Sequence, residues 1–310
     1  MSRPPRPWTL EPGARGYPTS LTDLRPGERP RLHGLGDRSL IASVDERPAV
    51  TIVGSRNASG YGLRIAERLG HDLALAGITV VSGLARGIDA AAHRGALEGG
   101  GGTVAVLACG PEVVYPASNA ALHERVLRGG ALISEHPPGT AARRGFFVRR
   151  NRIMAALSAV TVIVEAAQPS GSLVTADRAL ELGRTVGAVP GQVGIRVAEG
   201  ANDLISDGAH LIRDAADVLD LLYGVGVRSP PGGPAPRRAP GPRPGPRLDP
   251  EPAAILGLLS TGCSTVDQLA AAAAVGARET AIALARLERL GYVAAEPLGG
   301  WSRTGLREPE

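Results

Sequence analysis

The sequence predicts an α/β protein with a doubly wound, mainly parallel sheet, followed by a smaller C-terminal helical module. Short β-branched runs alternate with amphipathic stretches from about residue 49 to residue 222. Continuous apolar strands separated by helices are typical of a parallel sheet that is covered on both faces. Glycine-rich turns follow several of these strands, and ligands of such folds bind beyond the carboxyl ends of the strands.

The main domain is expected to span residues 49–225. Its six predicted strands are VTIVGS, ITVVSG, TVAVLACG, ALISEH, VTVIVEA and TVGAVPG. Helices are predicted near residues 61–76, 88–98, 119–127, 150–157 and 173–182. The proline- and arginine-rich residues 1–48 are expected to form a short lead-in, with one strand near residues 30–33.

The C-terminal part is predicted to contain a linker, a module and a tail. Residues 226–250 are mostly proline, glycine, alanine and arginine, which indicates a stiff, solvated linker. Its arginines either contact nucleic acid or only keep the linker soluble. Residues 251–301 have the outline of a winged helix, with three helical stretches and a short strand, and residues 302–310 form a tail.

The third helix of this module is expected to turn Ile282, Leu284, Ala285 and Leu287 toward the core. Its exposed arginines are few and are offset by Glu279 and Glu288. The module is therefore expected either to bind duplex DNA or to dock a partner or pack against the main domain.

All 34 basic residues are arginine. The absence of lysine excludes a P-loop lysine, a Schiff-base lysine and a lysine general base. Arginine still binds phosphate through its planar guanidinium and stacks on bases. A GC-rich coding bias would also explain this usage, and the net charge of +4 is modest, so the distribution of the arginines carries more information than their number.

The cysteines and the N-terminus indicate the compartment. Cys109 and Cys263 lie far apart in the sequence, which argues against a disulfide framework and fits a reducing cytosol. The N-terminal MSRPPRPWTL lacks the apolar core of a signal peptide, and no apolar run approaches the roughly 20 residues of a membrane span. We expect a cytoplasmic protein with no membrane partner.

The turn Gly54-Ser55-Arg56 directly follows the first predicted strand of the main domain. Its spacing differs from the G-x-G-x-x-G of dinucleotide-binding folds, and no acidic residue ends the next strand to hold a ribose. A redox cofactor is therefore disfavoured, and no cofactor is expected. The glycines alone would also suit a structural turn, whereas the cation of Arg56 at a strand end favours phosphate binding.

The segment VSGLARGIDAAAH places Gly83, Arg86 and Gly87 in a turn before a helix. Unpaired N–H groups and the helix dipole make such a turn suitable for phosphate. Asp89 and His93 follow at spacing i, i+4, which suits a metal site or, preferably, a helix cap and a hydrogen-bonded pair. Two ligands alone are a weak signal, so no metal is expected.

The segment FFVRRNR is predicted to form a third turn before a helix, and it combines both phenylalanines of the chain with its densest arginine cluster. Aromatic side chains that stack on bases, together with arginines on the backbone, bind single strands without reading sequence. The alternative is that one or both phenylalanines are buried in the core, so that Asn151 and Arg152 face the pocket.

The turn Ser170-Gly171-Ser172 is expected either to hold a phosphate or to cap the following helix. Neither serine has an evident histidine base in the sequence, so no catalytic residue is predicted.

Together these segments resemble the DNA-processing protein A family, also called Smf. The resemblance covers about residues 17–222 and includes, in order, VTIVGSRNASGYG, VSGLARGIDAAAHRGAL, GPEVVYPASN, ISEHPPGT, RRNRIMAAL, VIVEAAQPSGSLVTADRALELGRTVGAVPG and NDLISDGAHLI. It implies an extended Rossmann-like domain that binds single-stranded DNA and has no established catalytic activity. It also implies a homodimer, formed near residues 210–222, that loads the RecA recombinase onto DNA taken up during natural transformation.

Carried over by this resemblance and the turns above, the DNA-binding site comprises Gly54, Ser55, Arg56, Gly83, Arg86, Gly87, Phe147, Arg150, Asn151, Arg152, Ser170, Gly171 and Ser172. Val148 stands where the family has a proline. The N-terminal helical domain that often precedes this fold is expected to be reduced to the first 48 residues.

The leading hypothesis is a non-enzymatic recombination mediator that binds and protects single-stranded DNA. Its expected partners are that DNA, RecA and a single-strand-binding protein. The alternative is a Rossmann-like enzyme that binds or hydrolyses nucleotides, since a related group uses a P-G-G-x-G-T-x-x-E turn. This chain has Pro169-Ser170-Gly171-Ser172 there, and Glu165 is the only nearby substitute for the glutamate.

Overall fold

The computed structural model describes residues 7–224, 245–259, 265–295, 300–304 and 306. The chain divides into two compact units, one ending at Arg237 and the other beginning at Arg238. Most of the predicted linker, residues 226–244, lies outside the described residues. No helix in the described ranges is long and apolar enough to cross a membrane.

The first unit is built on a nine-stranded sheet of order β1-β2-β6-β5-β4-β3-β7-β8-β9. Its strands are Trp8–Leu10 (β1), Leu32–Gly36 (β2), Ala49–Val53 (β3), Thr79–Ser82 (β4), Thr103–Leu107 (β5), Ala131–Ser134 (β6), Val160–Ile163 (β7), Thr185–Ala188 (β8) and His210–Leu211 (β9). Its helices are Ser39–Ala42 (α1), Gly60–Leu75 (α2), Ile88–Glu98 (α3), Ala120–Gly129 (α4), Arg144–Leu157 (α5), Gly171–Glu181 (α6), Arg196–Ser206 (α7) and Ala215–Tyr223 (α8).

The six strands predicted from the apolar runs, β3 to β8, are confirmed and run parallel. The strands β3 to β7 are buried along their whole length, which explains why they read as continuous apolar runs. The chain order of the strands reverses beside β3, which pairs with β4 on one side and with β7 on the other. A crevice for a ligand is expected at this reversal.

The N-terminal segment is an integral part of the sheet, which corrects the expectation of a short lead-in before residue 49. β2 pairs antiparallel with both β1 and β6. Leu21, Leu32 and Ile41 have no exposed surface and join the main core. The strand expected near residues 30–33 corresponds to β2, but its place in the sheet was missed because the apolar residues of this segment lie far apart, between prolines and arginines.

Helix α5 begins at Arg144 rather than at the predicted residue 150. The segment FFVRRNR is therefore the first half of a helix and not a turn. In the first turns of α5, Arg144, Gly145, Val148 and Arg149 are exposed, so no continuous apolar stripe marked them as helical. Helices α7 and α8 were also absent from the prediction.

The second unit has the predicted outline of three helices and a wing. Its elements are Pro250–Leu258 (α9), Val266–Ala273 (α10), Ala277–Arg289 (α11), Val293–Ala295 (β10) and Trp301–Arg303 (β11), and the two strands pair antiparallel. Leu284 and Leu287 of α11 are buried as expected, with Ile255 of α9 and Leu269 of α10. Ile282 and Ala285, which were expected in the core, are exposed instead.

Candidate nucleic-acid interface

Two adjoining clefts lie where the parallel strands end. The larger has a volume of about 760 Å³ and the smaller of about 180 Å³. Arg56, Tyr115 and Phe147 line both clefts. Most of the predicted site residues line the larger cleft: Gly54, Ser55, Arg56, Phe147, Arg150, Asn151, Ser170, Gly171 and Ser172. Gly83 and Arg86 line the smaller one, and Arg152 lines a different cleft beside Glu28 and Arg178.

The turn after β3 is fixed by its neighbours on both sides. The Ser55 N–H donates to the carbonyl of Glu165 at 2.7 Å, and the Ser55 carbonyl accepts from the Ile88 N–H at 3.2 Å. A Cβ on Gly54 would lie 2.7 Å from the Glu165 carbonyl oxygen, so glycine is needed for this close approach. The Ser55 Oγ accepts from the Asn57 N–H at 3.1 Å. The turn is therefore rigid, and its exposed side chain is that of Arg56.

The turn after β4 is shaped from three directions. Leu84 has a left-handed φ of 55°, and the side chain of Asn119 donates to its carbonyl at 3.0 Å. Gly87 also has a positive φ, of 77°, and a Cβ there would overlap the carbonyl oxygen of Ser55. A Cβ on Gly83 would overlap the guanidinium of Arg150. These contacts hold the backbone while Arg86 stays exposed.

The guanidinium groups of Arg56 and Arg86 are accessible to a ligand. Both are exposed, and neither has an ion-pair partner within the described part of the chain. The guanidinium of Arg56 lies 5.0 Å from the centre of the Phe147 ring, within range of a cation–π contact. Arg144, at the start of α5, is also exposed and lines the larger cleft, although the predicted site did not include it.

Phe147 faces the clefts with a second aromatic side chain that the sequence analysis missed. The ring of Tyr115 lies 5.3 Å from that of Phe147, at an angle of 50°, and Tyr115 is 45% exposed. Phe146 points elsewhere and stacks on His136 at 3.8 Å. Successive residues of a helix diverge by about 100°, so only one of two adjacent phenylalanines faces the site. Aromatic residues make up only 3% of the chain, so each one in a loop after a strand was a candidate for the site, and Tyr115 could have been found in this way.

Arg150 reaches the site but is buried and fully engaged, which corrects the expectation of a phosphate contact. Its Nη1 donates to the carbonyl oxygens of Gly83 and Val106, and its Nη2 lies 3.6 Å from Asp89 Oδ2. Only 4% of the residue is exposed. Burial lowers the pKa of Arg150 and raises that of Asp89, and the attraction between the two opposes both shifts. The guanidinium thus ties β4, β5 and α3 together.

Arg152 is also committed to the protein interior. Its Nη1 and Nη2 each donate to the carboxylate of Glu135 at 2.9 Å, and its Nη2 also donates to the carbonyl of Glu28 at 2.9 Å. The hydrogen bonds from Arg152 lower the pKa of Glu135 against the opposing effect of burial. A phosphate would have to break this bidentate pair, so the predicted phosphate contact of Arg152 is corrected as well.

The serine turn before α6 is a helix cap. The Ser170 Oγ accepts from the Ser172 N–H at 3.3 Å and lies 2.7 Å from the Ser172 Oγ. Asn151 donates to the Gly171 carbonyl at 3.0 Å, which joins the cap to α5. Gly171 is exposed, and a Cβ there would meet nothing within 4 Å, so the cleft is open at this point.

The carboxylate of Glu165 is used within the protein. Its two oxygens accept from the Ser59 N–H at 2.9 Å and from the Ser59 Oγ at 2.5 Å, next to the start of α2. A Cβ on Gly62 would overlap this carboxylate. Glu165 therefore supports the first turn of α2, and it is 4% exposed.

Asp89 and His93 do not form the expected pair. The His93 Nδ1 lies 2.8 Å from Thr103 Oγ1, whereas Asp89 faces Arg150. Burial, aided by the charge of Arg150, lowers the pKa of His93 to about 3, so this ring is neutral. Within the described ranges no three histidine, cysteine, aspartate or glutamate side chains group together as metal ligands.

A doubly wound sheet with exposed arginines and aromatic rings at its strand ends is typical of proteins that bind nucleotides or nucleic acid strands. The chain belongs to the DNA recombination-mediator protein A family, whose model matches residues 8–223. The model of the DprA winged helix domain matches residues 239–299.

The relatives are DprA and Smf proteins. The chain is 40% identical over 222 residues to a DNA processing protein DprA of Mycobacterium tuberculosis, which covers 72% of this chain and 56% of that protein. It therefore spans little more than half the length of that relative. It is 39% identical over 256 residues to the Smf protein of Escherichia coli, with 82% of this chain and 67% of that protein covered.

Two solved structures share the fold. DprA from Streptococcus pneumoniae superposes with a TM-score of 0.63 at 36% identity, over 68% of this chain and 72% of that one. DNA processing protein A from Helicobacter pylori superposes with a TM-score of 0.61 at 28% identity, over 70% of this chain and 95% of that one. The Helicobacter pylori structure is described as giving insight into a single-stranded DNA binding mode.

Proposed function

We propose that this chain binds single-stranded DNA in the paired clefts and acts as a recombination mediator. The observation that carries the proposal is the placement of two exposed arginines, Arg56 and Arg86, beside the rings of Phe147 and Tyr115. Neither arginine has an ion-pair partner among the residues that the structure describes. Arginines neutralise phosphates, and aromatic rings stack on bases without regard to sequence. The DNA-binding mode described for the Helicobacter pylori relative supports the same ligand.

The test is an anisotropy titration of a labelled oligo-dT of roughly 20 to 40 nucleotides, since single-strand sites span several nucleotides. It is performed at about 50 and 200 mM salt, with duplex of equal length as competitor. Salt-sensitive binding that duplex displaces poorly is expected. If the oligonucleotide does not bind, or if duplex displaces it on equal terms, the proposal fails.

The proposed partners are RecA and a single-strand-binding protein, in the cytoplasm, during the processing of DNA taken up by natural transformation. A mediator has to admit RecA to strands that another protein already covers. We expect this chain to shorten the lag of RecA filament assembly on strands coated with single-strand-binding protein. An unchanged lag, with normal binding of oligo-dT, would reject the mediator role and keep the DNA-binding role.

We also propose that the chain forms a homodimer near residues 210–222. Strand β9 ends the sheet, and a sheet edge offers unpaired backbone groups to a second chain. Leu211 in this strand is 45% exposed, and Val193, in the loop that follows β8, is 90% exposed. We expect Leu211→Asp to convert a dimer into a monomer in sedimentation velocity, whereas a dimer that survives this change would place the interface elsewhere.

The enzymatic alternative would need a carboxylate free to act on a nucleotide. Glu165, the candidate for that role, accepts two hydrogen bonds from Ser59 and supports the start of α2. The geometry therefore favours the DNA-binding proposal over nucleotide hydrolysis.

A further inference from the structure

The second unit has a helix-turn-helix followed directly by a hairpin. Helices α10 and α11 are joined by residues 274–276, in which Ala274 has a left-handed φ of 54°. The core packs Leu284 and Leu287 of α11 against α9 and α10. This packing determines which face of α11 points outward.

The outward face of α11 is a stripe of four residues, Arg278, Ile282, Ala285 and Arg289. At 3.6 residues per turn they fall within about 60° of one another, opposite the core residues. All four are exposed, and Ile282 is exposed by 61%. A large β-branched side chain in the middle of an exposed, cationic helix face does not contribute to the core of its own unit.

The charge of this stripe is less balanced than the sequence indicates. Arg278 and Arg289 have no ion-pair partner among the residues that the structure describes, while Arg286, at the edge of the stripe, pairs with Asp249 at 2.7 Å. The carboxylate of Glu279 folds back against Gly276 at the start of α11. There it interacts favourably with the positive end of the helix dipole. Glu288 is exposed too, but it lies about 80° from Arg278 around the helix axis and so falls outside the stripe.

We propose that α11 is the recognition helix of a second DNA site, which takes duplex DNA in its major groove. In helix-turn-helix proteins the second helix enters the major groove and reads it with the residues of its outward face. Arginine contacts phosphates or guanine, and an apolar side chain contacts the thymine methyl group. The stripe on α11 offers both kinds of contact, since Arg278 and Arg289 flank Ile282.

The test uses the full chain and a labelled duplex of about 20 base pairs, roughly two helical turns. Unlabelled oligo-dT at saturation occupies the clefts of the first unit, so that the anisotropy reports the second site. The variant is Arg278→Ala/Arg289→Ala. Its matched control is Arg125→Ala/Arg128→Ala, which removes two exposed arginines from α4 of the first unit.

We expect the α11 double variant to bind duplex about tenfold or more weakly, with a log–log salt slope lower by about 1.8. The control should match the wild type. Ile282→Ala should weaken binding with an unchanged slope, because it removes an apolar contact. All of these variants should bind oligo-dT normally, which separates this proposal from the single-strand site.

Two outcomes overturn the proposal. In the first, the wild-type chain with saturated clefts shows no salt-sensitive binding of duplex. In the second, the α11 double variant binds duplex with the affinity and slope of its control. Either outcome would leave the stripe as a surface for a protein partner.

Discussion

Replacement of Arg150 by methionine tests whether this residue positions the site or contacts DNA. The residue is 4% exposed, donates to the carbonyls of Gly83 and Val106, and lies 3.6 Å from Asp89. Methionine keeps an unbranched apolar stem but removes the charge and the donors. The variant therefore leaves the Asp89 carboxylate buried without a cation.

The expected loss of stability is large. Removing one partner of a buried ion pair costs about 3–5 kcal/mol. At roughly 2–4 °C per kcal/mol for a domain of this size, the first unit should melt about 6–20 °C lower. Asp89→Asn/Arg150→Met should recover part of this loss, because the double variant no longer buries an unpaired charge.

The loss should depend on pH. Burial raises the pKa of Asp89, and without Arg150 the opposing attraction is gone. A carboxyl with a raised folded-state pKa contributes stability below its unfolded pKa of about 3.9 and loses that contribution as pH rises through the folded value. The deficit of Arg150→Met relative to the wild type should therefore be smaller at about pH 5 than at about pH 8.

Calorimetry of the wild type, Arg150→Met, Asp89→Asn and the double variant measures the losses of stability. Oligo-dT titrations of the same proteins measure the effect on DNA binding. Arg150→Met should weaken DNA binding through the displaced turn at Gly83 while leaving the salt slope unchanged. A slope lower by about 0.7 would show that Arg150 contacts a phosphate. A melting temperature within about 2 °C of the wild type would refute the buried pair.

Three further predictions concern stacking, pH and the α2 cap. Phe147→Leu should weaken oligo-dT binding by about 1–3 kcal/mol in anisotropy titrations, whereas Phe146→Leu should not, because only Phe147 faces the clefts. The pKa of His93 is lowered to about 3, so the wild type should lose stability as pH falls below about 6.5, and His93→Gln should lose less over that range in thermal melts. Glu165→Ala should destabilise the first unit by about 1–3 kcal/mol in the same melts, because Ser59 loses its acceptor; an unchanged melting temperature would contradict that role.

The parallel core of the fold could be predicted because burial on both faces produces continuous apolar runs. β3 to β8 were all recognisable in this way. β1 was not, because it is a three-residue strand that pairs only with β2, and the strand expected near residues 30–33 was placed without its partners, β1 and β6. Ile282 was misplaced because periodicity marks an apolar residue as buried even where the structure exposes it.

The position of the site could also be predicted, since the glycine turns at strand ends lie where the clefts are. The roles of the arginines could not. Arg56, Arg150 and Arg152 look equivalent in the sequence, but the structure leaves the first exposed and pairs the other two with Asp89 and Glu135. That distinction depends on two buried carboxylates far away in the sequence, Asp89 of α3 and Glu135, which follows β6.

The most direct test of the proposed site is the salt dependence of oligo-dT binding by Arg56→Ala/Arg86→Ala. Arg125→Ala/Arg128→Ala is the charge-matched control, because it removes two exposed arginines of α4. If both site arginines contact phosphates, the site variant should bind several-fold or more weakly, with a slope lower by about 1.4, while the control matches the wild type. A folded site variant with the affinity and slope of its control would contradict the account, because the strand would then bind elsewhere.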